Sequence, residues 1–158
     1  MAPLIFATLN IRGCRMGLRR PQVLDFLWEG GYRMVFLQET QTDPASKDSW
    51  RLDWGDRVYF SHLTVCTSGL ATQFSPDLRP EELGVAESVP GRVLQLWVCM
   101  EGLVVNLVNI YAPTSGPERL RFYQQASAFL SILDPHECLV LGGDFNTTLE
   151  ERDRSGTE

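Results

Sequence analysis

An α/β (α+β) layered sandwich is the fold class this sequence predicts, and three observations carry the prediction. Short apolar runs end in polar or turn residues, as strands do. Two other segments repeat apolar residues at intervals of three and four, as helices do. Their order along the chain is strand, helix, strand, a middle section of strands, helix, strand.

The strands are expected at Leu4 to Leu9, Met34 to Leu37, Leu94 to Met100, Leu103 to Tyr111 and Cys138 to Leu141. Their Val, Ile, Leu and aromatic content, with little polar alternation in the first and last, predicts strands covered on both faces. The first helix is expected after Arg19-Arg20-Pro21, where Val23, Leu24, Phe26, Leu27 and Trp28 lead to a stop at Gly30-Gly31. The second is expected from Pro117 to Leu133, with Pro117 near its first turn and Asp134-Pro135 ending it. Ser75 to Pro90 carries three prolines and five charges and is expected to be a surface loop.

The chain has 158 residues, 44% of them hydrophobic, which suits one domain with a sizeable core, spanning 1–158. No apolar run approaches the roughly 18 to 20 residues needed to cross a bilayer, and the start lacks the basic segment of a signal peptide. An intracellular protein without a membrane partner is expected. Cys14, Cys66, Cys99 and Cys138 are scattered and form no Cys-x-x-Cys pair, which argues against a zinc knuckle or redox motif. With 14 basic and 20 acidic residues, the net charge of −6 is the wrong sign for holding phosphates by bulk electrostatics. It leaves room for a carboxylate site whose charge a cation offsets.

The most informative pattern lies at the end of each apolar run. Asn10 comes after the first, Glu39 after the second and Tyr111 at the end of the fourth, while Asp144 and Asn146 come after the last. Groups at the ends of parallel or mixed strands converge on one edge of a sheet. Two carboxylates, Glu39 and Asp144, with the amides of Asn10 and Asn146 make a sensible pocket for Mg²⁺, which prefers oxygen ligands and keeps several waters. Zinc is disfavoured, since His62 and His136 sit in no ligand spacing. In Gly142-Gly143-Asp144-Phe145-Asn146 the glycine pair would let the backbone turn sharply. Asp144 and Asn146 would then project to one side if the chain stays extended. Singly, each of these residues is ordinary at a turn or an edge; their conjunction points to a site. Asn146-Thr147-Thr148 also matches the N-glycosylation pattern, which the missing secretory signal argues against.

Taken in order, Leu9-Asn10-Ile11-Arg12-Gly13, Leu37-Gln38-Glu39-Thr40, Asn109-Ile110-Tyr111-Ala112-Pro113 and Gly142-Gly143-Asp144-Phe145-Asn146 resemble the successive motifs of the endonuclease/exonuclease/phosphatase (DNase I-like) family. The wording looks most like the endonuclease domain of non-LTR retrotransposons at Ser68-Gly69-Leu70-Ala71, Phe74-Ser75-Pro76, Gly91-Arg92-Val93-Leu94 and Asp153-Arg154-Ser155-Gly156. The resemblance implies a four-layered α/β sandwich and an Mg²⁺ or Mn²⁺ phosphodiesterase that nicks target DNA, with a nuclear location and a reverse transcriptase downstream in the same polyprotein. It implies Glu39 as principal metal ligand, Asn10 as a second contact to the metal or its water, and Tyr111 as hydroxyl donor to the scissile phosphate. Asp144 and Asn146 would orient the attacking water and stabilise the transition state, and both would stand among the metal's ligands.

The family's Ser-Asp-His motif, and the aspartate before it, do not occur in this chain; His62 is preceded by Ser61 and His136 by Pro135. General acid/base help of about 10²- to 10⁴-fold is then missing. The expectation is therefore an amino-terminal portion of the domain, with sheet edges uncovered, poor solubility and little activity alone. Two alternatives stand beside it: an apurinic/apyrimidinic or exonuclease III-like repair nuclease, or another phosphatase of the same fold, and a nonenzymatic remnant.

Overall fold

Met34–Gln38 forms a strand, β2, that is buried along its whole length and organises the first half of the molecule. The computed structural model describes residues 4–14, 19–63 and 68–148. β2 lies between β1 (Phe6–Asn10), which runs parallel to it, and β4 (Leu70–Phe74), which runs antiparallel. β3 (Val58–Ser61) closes the far edge, giving the order β1-β2-β4-β3. A second sheet has the order β5-β6-β7-β8, built from β5 (Glu81–Val89), β6 (Val93–Met100), β7 (Leu103–Tyr111) and β8 (Cys138–Asp144). β8 runs parallel to β7 because helix α3 (Gly116–Leu130) carries the chain back between them.

The two sheets face each other over Met34, Phe36, Phe74, Leu96, Val98, Val105 and Leu107. Helices α1 (Arg19–Glu29) and α2 (Lys47–Trp54) cover the outer face of the first sheet through Leu24, Leu27, Trp50 and Trp54. α3 covers the outer face of the second through Phe122 and Ala126. Helix, sheet, sheet and helix make four layers, as the sequence resemblance implied. No helix among the described residues is long and apolar enough to cross a membrane.

Several expectations need correction. Ser75 to Pro90 is not a loop throughout: β5 occupies Glu81–Val89 and pairs with β6 through two register irregularities. Its prolines, Pro80 and Pro90, flank the strand, and Glu81, Glu82 and Glu87 are charges of the kind that edge strands carry. The first and last strands are not covered on both faces. β1 and β8 are sheet edges, with Phe6, Leu139 and Leu141 exposed. The expected Pro117 to Leu133 helix ends at Leu130, because Ile132 and Leu133 donate instead to carbonyls three residues back and tighten the chain out of α-geometry. α2 was not anticipated. A reciprocal Asp43–Ser46 cap starts the turn before it, and both its indoles donate inward, Trp50 to Gln73 Oε1 at 3.2 Å and Trp54 to the Phe74 carbonyl at 2.6 Å.

Cys14, Cys99 and Cys138 are free thiols. Cys66 and the Asp153-Arg154-Ser155-Gly156 segment lie outside the described residues.

Candidate active site

Asn10, Tyr111 and Asp144 are the last residues of β1, β7 and β8, and Glu39 comes immediately after β2. Since β1 runs parallel to β2 and β7 parallel to β8, all four chain ends open on one edge of the sandwich. The side chains meet there. Asn10 Nδ2 donates to Glu39 Oε1 and to Asp144 Oδ2, each at 2.8 Å, and so ties the two sheets together. The Tyr111 hydroxyl donates to the same Glu39 Oε1, also at 2.8 Å. Asn10 Oδ1 accepts from the Arg12 backbone at 3.1 Å, which fixes the amide's orientation.

Glu39 holds a left-handed backbone with φ of 52°. For a residue with a side chain, that conformation costs roughly 1–2 kcal/mol. It persists because the strand end is gripped from both sides. The Ile11 N–H bonds the Gln38 carbonyl at 3.0 Å, Gly13 N–H bonds the Glu39 carbonyl at 2.7 Å, and Thr40 N–H bonds the Gly69 carbonyl at 3.2 Å. Backbone strain of this kind gathers at functional positions.

Asn146 reaches the site differently from the extended geometry expected. Its own φ of 47° turns the chain, so its N–H caps Asp144 Oδ1 at 2.9 Å while its Nδ2 donates to the Ala112 carbonyl at 2.6 Å. The glycine pair also differs in purpose from a turn, because both residues lie inside β8. A Cβ on Gly143 would lie 1.9 Å from the Ile110 carbonyl oxygen, and one on Gly142 would press on the Phe36 ring at 2.8 Å. The pair allows β8 to lie close against β7 and β2.

An open cleft of about 400 Å³ borders these groups and is lined by Asn10, Gln38, Asp144 and Asn146, with Thr8 and Thr147. Burial and the Glu39 carboxylate push the Tyr111 phenol up to about 12, with Arg92 opposing the shift. The Arg92 guanidinium stacks 4.5 Å over the Tyr111 ring and donates to the Tyr111 carbonyl at 3.3 Å. Tyr111 is thus a hydroxyl donor at neutral pH.

No imidazole lines the cleft among the described residues. His62 Nδ1 contacts the Thr42 carbonyl at 3.0 Å, its ring stacks on Phe60, and burial lowers its pKa. His136 is exposed in the turn before β8, at the opposite end of that strand from Asp144. Among the described residues no three His, Cys, Asp or Glu side chains come together. Two carboxylates with amide groups, beside water, still suit a hard divalent cation that retains part of its hydration. That donor set fits Mg²⁺ or Mn²⁺ better than zinc. Sequence reading missed Arg92, Gln38 and Asn109 as site-supporting residues, although all three lie within the motifs that carry the family resemblance.

The fold is DNase I-like, with helix, sheet, sheet and helix layered as in the solved structures to which the chain is similar. No family model matches the sequence. Over 152 residues, 96% of the chain, it is 49% identical to the Transposon TX1 uncharacterized 149 kDa protein of Xenopus laevis, of which it spans 12%. Among solved structures it is similar to an AP endonuclease from Archaeoglobus fulgidus, with TM-score 0.71 and 22% identity, covering 94% of this chain and 59% of that one. TDP2 from Caenorhabditis elegans is also similar, with TM-score 0.59 and 22% identity, covering 82% of this chain and 42% of that one.

Proposed function

We propose that this chain carries the greater part of the catalytic apparatus of a divalent-metal phosphodiesterase that nicks DNA during the insertion of a non-LTR retrotransposon. The observation that carries the reading is the direct hydrogen-bonded union of Asn10, Glu39, Tyr111 and Asp144 from four strands of two sheets. A purely structural need does not account for it. Two carboxylates gathered on one amide repel one another, and a strained backbone at Glu39 adds to the cost.

Glu39 and Asp144 would hold the cation, with Asn10 bridging between them. A bound Mg²⁺ would supply Lewis-acid stabilisation of charge developing on the phosphate oxygens. Tyr111, protonated far above neutral pH, would give its hydroxyl proton as a hydrogen bond to a phosphate oxygen. Asp144, capped by the Asn146 backbone, keeps one orientation and would align an attacking water. The general base would come from further polypeptide, which would also cover the open edges of β1 and β8. A reverse transcriptase in the same polyprotein and a nuclear location belong to this reading, of which the similarity to the transposon protein supports only a place in a transposon polyprotein.

The second reading, incision at abasic sites in repair, is favoured by the likeness to the AP endonuclease. Supercoiled plasmid and a duplex with one abasic site separate the two when offered to the full-length protein with Mg²⁺. Nicking of intact plasmid supports the retrotransposon reading, whereas incision confined to the abasic duplex supports repair. Absence of both in the presence of Mg²⁺ and of Mn²⁺ supports a nonenzymatic remnant.

A further inference from the structure

Between the apolar centre of the sandwich and the site lies a layer of uncharged polar side chains. Gln38 and Asn109 are 1% and 0% exposed, positions where two leucines would pack without any need for partners. Gln38 Nε2 donates to Asn109 Oδ1 at 2.9 Å, across the space between the sheets, and to Thr8 Oγ1 at 3.0 Å. Asn109 Nδ2 donates to the Leu37 carbonyl at 3.2 Å and the Ala71 carbonyl at 3.0 Å, gripping the backbones of β2 and β4.

The placement is systematic. Thr8 stands two residues before Asn10 on the same face of β1, Gln38 immediately precedes Glu39, and Asn109 stands two residues before Tyr111 on the same face of β7. Opposite Asn109 in the register is Gly142, and opposite Tyr111 is Asp144. Thr8 and Asn109 therefore sit directly behind a site residue on their own strands, and Gln38 adjoins Glu39 at the end of β2. Apolar packing is tolerant of small slides between sheets, whereas a chain of satisfied buried amides accepts one spacing and one register.

We infer that Gln38 and Asn109 are positioning residues, an amide bridge between the sheets that sets the distance and register of Glu39 and Asn10 relative to Tyr111 and Asp144. The inference rests on the phosphodiesterase reading. Gln38 and Thr8 also border the cleft, whereas Asn109, wholly buried, does not, so Asn109 reads the positioning role by itself.

The test compares wild type, Asn109→Leu and the Gln38→Leu/Asn109→Leu double variant of the full-length protein, each by thermal unfolding and by plasmid-nicking kinetics at saturating Mg²⁺. Loss of an outer partner of a metal site typically lowers activity about 10- to 100-fold. A kcat loss of that size, with KM little changed and the double variant melting no lower than wild type, is the expected result. A lowered melting temperature with wild-type kcat in the folded fraction would show a merely structural role and overturn the inference. If the leucine variants do not fold, Thr8→Val at its exposed position reads the same bridge. A several-fold kcat loss at constant KM supports it, and wild-type kcat overturns it. No hydrolysis by the wild-type protein with either cation would instead sink the phosphodiesterase reading, and this inference with it.

Discussion

At the scale of single residues, Glu39 concentrates the conflict between stability and chemistry. Its side chain accepts from Asn10 and Tyr111 while its backbone sits at a φ of 52°. Glu39→Ala and Glu39→Gly both remove the carboxylate, but only glycine escapes the left-handed penalty. Glu39→Gly should therefore be more stable than Glu39→Ala by about 1 kcal/mol in denaturant unfolding, with both inactive. Equal stabilities would show that the backbone at Glu39 is not strained. Tyr111 makes a prediction in pH. Its folded pKa of about 12 lies above the ordinary value of 10.0, so the proton is held more tightly in the folded state. Its contribution to stability is fully present below pH 10 and is lost as pH rises from 10 through 12. Tyr111→Phe should flatten that part of the stability profile, and an unchanged profile would contradict the assigned environment. Asn10, Glu39, Tyr111 and Asp144 were legible in the sequence because each ends an apolar run. The orientation of Asn146 was not, since a left-handed turn residue and an extended one read alike. Nor was the Gln38–Asn109 bridge, because a polar residue at a strand end gives no sign of being buried between sheets.

At the scale of elements, close approach decides more than propensity. β8 lies so near β7 that a methyl at position 143 would overlap the Ile110 carbonyl, and all three of its nearest neighbours there are backbone atoms. Gly143→Ala should cost roughly 3 kcal/mol or more and displace Asp144. By contrast, Gly31 has a φ of 64° but open space around it. Gly31→Ala should cost only the conformational penalty of about 1 kcal/mol. Chemical denaturation of the two variants checks the contrast, and similar costs would refute it. The elements that sequence reading recovered, β1, β2, β6, β7, β8, α1 and most of α3, have strong periodicity or apolar runs. β5 was hidden because it is an edge strand whose charges and flanking prolines mimic a loop. α2 was hidden because it is only eight residues long, and its two indoles, rather than a broad apolar stripe, hold it to the sheet.

At the scale of the whole molecule, the sandwich is closed on its helical faces and open along β1 and β8. Leu4, Ile5, Phe6, Leu139 and Leu141 are all at least 39% exposed there, beside strand edges with unpaired backbone groups. The chain spans 12% of the transposon protein it matches and 59% of the AP endonuclease chain. Expressed alone, the 158 residues are expected to bind the apolar dye ANS and to nick DNA about 10²- to 10⁴-fold more slowly than the full-length protein. A dye-silent, fully active fragment would show the open edges to be native surface. In the proposed function, two carboxylates drawn together from separate sheets form a divalent-metal phosphodiesterase site. The most direct test is the rate of plasmid nicking by the full-length protein across a Mg²⁺ titration, for wild type and Glu39→Gln. The wild-type rate is expected to saturate with Mg²⁺ and vanish on chelation, with a loss in Glu39→Gln on the order of 10²-fold or more. A Glu39→Gln protein that nicks at the wild-type rate, or a wild-type rate indifferent to chelation, would contradict it.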